Sequence, residues 1–163
     1  MTVKGGASLK LAFLARVVQK ESVHLRSTDA RLFAAPFTLE DAARLDSDPD
    51  LAERVEAFVA RFGRLQDTSG DKLLPALLAA LGEPTGPFVD NLDRAERLNW
   101  VGSADDWLAM RQLRNQMIHE YIEDPVVLTS ALNAGHSFVP PLLAVSDRLI
   151  GEVDRRWAAK NQV

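Results

Sequence analysis

The 163-residue chain is 47% hydrophobic and 26% charged and has no cysteine, which excludes disulfides, thiolate chemistry and a disordered composition and leaves enough chain for one core over residues 1–163. Its formal net charge is −4, which excludes a broad electrostatic grip on nucleic acid but not a local site. The longest apolar runs, such as LLPALLAALG, are about half of what a bilayer span needs, and no apolar stretch with a cleavage site opens the chain, so the expectation is a cytoplasmic protein with no membrane association.

In chain order, Leu9, Leu11, Phe13, Leu14, Val17, Val18 and Leu25 recur at three- and four-residue spacing and predict a first helix from about Ser8 to Leu25. A loop then runs to Pro49, with Thr38-Leu39-Glu40-Asp41 as a capped turn opening one short helix. Asp48-Pro49-Asp50 starts a long second helix with Leu51, Val55, Phe58, Val59, Phe62 and Leu65 on one face. The segment TSGDKLLPALLAALGEP either continues that helix or restarts it after Gly70, with Pro75 as a kink or early-turn residue and Gly82 as the stop. A third helix is predicted from about Gly86 to Asn99 and a fourth from a Ser103 cap to about Tyr121. Val126 to Asn133 starts a fifth, Gly135 and Pro140-Pro141 interrupt or bend it, and Leu142 to Trp157 ends the chain as helix. No run alternates with period two. The predicted fold is all-α, a four- to five-helix antiparallel bundle.

Three histidines, His24, His119 and His136, lie in unrelated segments, so no metal site and no cofactor is expected. His24 and His136 match no motif and read as surface or loop residues. The tryptophans Trp100, Trp107 and Trp157 fall at predicted helix ends, where partial burial of a large ring is ordinary. Only five of 19 basic residues are lysines, so positive charge resides on guanidinium groups suited to phosphate and carboxylate.

The stretch LRNQMIHEYIEDP, Leu113 to Pro125, concentrates chemistry on the last turns of the fourth helix. At 100° per residue Met110, Leu113, Met117 and Tyr121 form its core stripe, with Arg114 at the edge. His119 lies about 140° around the axis from Arg114 and roughly 7.5 Å further along it, in a row with Arg111 and Asn115. One reading makes these cations the stabilising end of a helix dipole. The other makes them a site in which an arginine binds phosphate and a histidine moves a proton, the offset being bridged by a second helix or a second copy of the chain. Spacing does not choose between them.

The string RNQMIHEY resembles the signature of the HEPN superfamily: an arginine and asparagine, a histidine five residues after the arginine, a tyrosine two further on. It looks most like the branch of HepT-like toxins and nucleotidyltransferase substrate-binding proteins, and FVARFGRLQDTSGDKLLPALL and HEYIEDPVVLTSALN resemble that family's flanking segments. The similarity covers about Leu51 to Asp147. It implies a HEPN-like homodimer with two motif copies facing one cleft, which in toxic members is a metal-independent ribonuclease site. Carried over residue by residue, Arg114 steadies the phosphorane, His119 is the general acid or base, Asn115 orients, Arg111 supports, and Tyr121 is the tyrosine that a cognate minimal nucleotidyltransferase antitoxin adenylylates. Asp67 either pairs with a motif arginine or is a solvated or turn-capping carboxylate. Arg61 and Arg64 either extend a phosphate path over RNA or form a solvated face. The alternative function is a non-catalytic nucleotide- or substrate-binding subunit of the same nucleotidyltransferase.

Overall fold

In a computed structural model, which describes residues 2–119 and 123–157, the chain is all-helical, and no strand occurs among the described residues. The helices are α1 (Thr2–Leu32), α2 (Leu39–Ala43), α3 (Pro49–Asp67), a π-helical segment (Thr68–Leu73), α4 (Leu74–Ala80), α5 (Phe88–Arg97), α6 (Ala104–His119) and α7 (Pro125–Arg156).

The polar punctuation in the sequence does its expected work. Thr38 and Asp41 close a reciprocal capping box on α2, with bonds of 3.2 and 2.9 Å. Asp48 accepts from the Leu51 amide ahead of α3, Ser103 from Asp106 ahead of α6, and Asp124 from Val126 and Val127 ahead of α7. Each satisfies amides that a helix start leaves without partners. Gly82 ends α4 with φ of 75°, a left-handed conformation that costs glycine nothing.

Three elements differ from the sequence expectation. The first is α1, which is longer at both ends, because Thr28 and Leu32 extend the buried row of Leu11, Leu14, Val18 and Leu25 through polar sequence, while Leu9 and Phe13 point outward. The second is α7, which runs unbroken through Pro140-Pro141. Both prolines are exposed, as are His136 and Ser137 one turn earlier, so the carbonyls deprived of a donor face water while Val139, Leu142 and Leu143 hold the turn in the core. By length and composition alone α7 is apolar enough to cross a membrane; here its apolar side, including Leu128, Leu132 and Leu149, is core. The third is the TSGDKL stretch, where the widened π turn carries the Leu74 amide back to the Ser69 carbonyl just before Pro75, which has no N–H to offer.

Contacts fix the topology. Arg61 reaches Thr28 and the His24 carbonyl while Thr68 reaches Glu21, so α1 and α3 run antiparallel. Asp67 meets Arg114 and Gly70 meets Trp107, which makes α3 and α6 antiparallel. Gly135 meets Met117, Trp107 lies among Val145 and Leu149, and Asp29 meets His136, so α7 opposes both α6 and α1. Ser69 and Ser146 bond across the centre at 3.1 Å. The result is an antiparallel four-rod bundle, α1, α3, α6 and α7, with α4 continuing the second rod.

His136 is exposed, as expected, and stands on α7; its Nδ1 lies 2.7 Å from Asp29 and its ring stacks on Phe33 at 4.4 Å. Trp100 and Trp107, expected to be partly buried, are only 5% and 1% exposed.

Candidate functional site

Burial of Met110, Leu113 and Met117 fixes the rotation of α6, and that rotation aims Arg114 across to α3. Its side chain crosses α3 where Gly63 leaves room: a Cβ on Gly63 would stand 2.8 Å from Arg114 Nε and 3.3 Å from Cδ. The guanidinium Nη1 then donates to Asp67 Oδ1 at 2.5 Å. Of the two roles open to Asp67, the structure gives it the ion pair. Arg114 Nε is buried with no hydrogen-bond partner.

This pair sits in a groove of about 600 Å³ between α3 and α6. One end is walled by Val59, Ala60, Met117 and Ile118, the last 47% exposed, with Glu56 beside them. The other holds Arg64, Asp67, Thr68, Lys72 and Arg114. Beneath it, Thr68 donates to Glu21 Oε1 at 3.1 Å, while Glu21 Oε2 is buried without a partner. Burial raises the Glu21 pKa, and the Thr68 bond together with Arg64 and Lys72 offsets only part of that.

The other motif residues lie elsewhere. Asn115 and His119 are exposed, outside the groove, and make no side-chain bond with described residues. Arg111 lies outside the groove, one turn before Arg114, where Nη2 binds both Asp71 oxygens at 2.8 and 2.6 Å and the guanidinium lies 3.9 Å over the Phe88 ring; it ties the π segment to α5. Tyr121 falls outside the described residues. Arg114 and His119 therefore belong to different faces of one helix, as the 140° offset requires. The two α3 arginines also part company: Arg61 is spent on α1, bonding Thr28 and the His24 carbonyl, whereas Arg64 lines the groove.

Gly63, Thr68, Lys72 and Glu21 were not singled out by sequence reasoning. The signal for Gly63 was there: an isolated glycine inside a strongly periodic helix marks a close approach. Nothing in the spacing announced that the π turn would bring Thr68 and Lys72 beside it. Among the described residues no group of three metal-ligating side chains occurs.

Two outcomes follow from this geometry. Gly63→Ala should leave folding stability within about 1 kcal/mol, since the gain in helix propensity opposes the displacement of a flexible arginine. It should nevertheless break the Arg114–Asp67 pair, which nuclear magnetic resonance of the Arg114 Nε–H would report. Glu21 holds its proton more tightly folded than unfolded. Stability is therefore fully present below the ordinary carboxylate range and falls as pH rises through the raised value. Glu21→Gln removes that loss while its Oε1 still accepts from Thr68, so urea unfolding should find the variant progressively more stable than the parent from pH 4 to pH 7.

Compared with family models, with curated proteins and with solved structures, the chain gives no match.

Proposed function

We propose that the chain is a HEPN-type toxin: a cytoplasmic homodimeric, metal-independent endoribonuclease, neutralised by a cognate minimal nucleotidyltransferase. The observation that carries this reading is the fixed, partly buried Arg114 guanidinium, seated on Gly63 and aligned by Asp67, on the same helix as an exposed His119 that bonds no described residue. Because one α6 holds these groups on separate faces, a second subunit is required to bring an imidazole to the phosphate that Arg114 holds.

In that shared cleft one neutral His119 takes the proton of a ribose 2′-hydroxyl. The 2′ oxygen attacks the adjacent phosphorus, and the bond to the 5′ oxygen of the next nucleotide breaks. The leaving oxygen takes its proton from water, and the imidazolium so formed returns one to the hydroxide left behind, so one His119 serves each site. The products are a 2′,3′-cyclic phosphate end and a free 5′-hydroxyl. Arg114 steadies the added negative charge of the phosphorane. No redox or metal step enters. Adenylylation of Tyr121, two residues beyond His119, would place a bulky phosphodiester against the cleft and repel RNA phosphates.

The second reading, a non-catalytic subunit that presents a substrate to the nucleotidyltransferase, draws on the fact that Arg114 already holds a carboxylate. Purified protein incubated with RNA in excess chelator decides between them. The nuclease reading expects fragments ending in cyclic phosphate; intact RNA with a folded dimer would overturn it. Co-expression with the nucleotidyltransferase should add the mass of one adenylate to a peptide containing Tyr121.

A further inference from the structure

The α3–α6 groove has a polarity that Arg114 and His119 do not explain. Arg64, Asp67 and Lys72 follow one another along α3 and the π segment, spanning roughly 12 Å at 1.5 Å per residue, and all three line the cavity that Arg114 enters. Asp67 is committed to Arg114, so the local balance at this end is set by two exposed cations with no ion pair of their own among the described residues. Both lie close enough to act electrostatically on the half-buried Glu21 carboxylate. Arg61, by contrast, has been withdrawn from the groove to α1.

We propose that Arg64 and Lys72 form a second phosphate subsite of the groove, holding the backbone of single-stranded RNA next to the phosphate at Arg114, with an adjoining base against Val59, Ala60, Met117 and Ile118. This rests on the ribonuclease reading for the identity of the ligand. It also answers the difficulty raised by a net charge of −4: a strand needs cations only along its track, and here they stand on the rim of a built cavity. The Thr68 hydroxyl stays committed to Glu21, so the subsite grips by charge and not by a hydroxyl contact. The apolar walls accept any base face, and the Glu56 carboxylate, which also lines the groove, can accept from a base N–H.

The test uses the full chain carrying His119→Ala, so that RNA is bound but not cut, and a fluorescein-labelled single-stranded oligoribonucleotide of about a dozen nucleotides, followed by anisotropy across a salt series. Adding Arg64→Gln and Lys72→Gln should weaken binding about ten-fold near 0.1 M salt. The same change should reduce the slope of log affinity against log salt by about 1.4, two phosphate contacts at about 0.7 each. The control pair Arg26→Gln and Arg31→Gln removes equal charge from the exposed face of α1, and should change neither quantity by half as much. Equal losses from both pairs would reduce the groove to general attraction and overturn the subsite, as would unchanged affinity in the groove variant. Ile118→Asp, placed at the apolar end, should also weaken binding, and its failure to do so would remove the base contact. Cleavage is scored separately with His119 intact. RNA that binds through Arg64 and Lys72 but is never cut would sink the ribonuclease and leave the subsite standing, while cutting that ignores these residues would do the reverse.

Discussion

Replacing His119 with alanine is expected to abolish RNA cleavage and any growth arrest caused by expression, with the melting temperature almost unchanged. His119 is exposed and bonds no described residue, so its loss should cost at most about 0.5 kcal/mol of stability. Loss of a positioned acid or base removes roughly a hundred- to ten-thousand-fold of rate. The competing account, a cation soothing the C-terminal end of a helix, predicts the reverse pattern: a small fall in stability, dependent on salt, and no effect on RNA. The two accounts thus separate on the ratio of the effects and not on the size of either. Arg114→Ala is a less clean probe, because it strands Asp67 and empties the space over Gly63, so some of its effect would come from disturbed packing.

Trp107→Ala is expected to destabilise the protein by about 3–5 kcal/mol, the range for deleting a large buried aromatic ring, and to lower the melting temperature by roughly 10 °C or more for a chain of this size. The indole packs against Gly70 so closely that a Cβ there would stand 2.7 Å from Cζ2. It is enclosed by Leu74, Leu92, Val101, Val145 and Leu149. Gln66 donates to the Trp107 carbonyl at 3.4 Å, and the indole Nε1 is buried without a partner. Trp107→Phe should therefore cost much less than alanine, because it keeps a ring and removes an unsatisfied N–H. Gly70→Ala in the parent should cost about 1–3 kcal/mol by overpacking. In the Trp107→Ala background the same change should be nearly neutral, and this failure of additivity is the signature of direct contact. Equilibrium urea unfolding of the parent and the four variants reads all of it. Additive costs would show that the ring and the glycine are not packed as described.

These expectations depend on features the sequence disclosed unevenly. The helix starts at Thr38, Asp48 and Ser103 were legible because these residues cap through backbone amides three residues away, and local bonds follow local sequence. The core stripe of α6 was legible from its period, and with it the separation of Arg114 from His119. The continuity of α7 through Pro140-Pro141 was not, since it is decided by Val139, Leu142 and Leu143 packing into the bundle and by water on the other side. Nor was the full length of α1, whose last turns are held by Leu32 in the core and by Arg61 on Thr28, 33 residues away in sequence. At the site, pairing of Asp67 with a motif arginine could be suggested from residue types, but choosing Arg114 over Arg111 required the facing helix. Asp71, which takes Arg111, sits on the π turn, whose extra residue shifts the helical register by an amount no ideal wheel anticipates.

The claim that one subunit supplies the phosphate-holding arginine and another the imidazole is tested most directly by mixing two inactive variants. Arg114→Ala and His119→Ala proteins, unfolded and refolded together so that subunits exchange, should regain about a quarter of parental cleavage, because half the dimers are mixed and each mixed dimer contains one intact pair. Refolding the mixture to dimers that remain as inactive as either variant alone would contradict a shared site and with it the mechanism proposed for this chain.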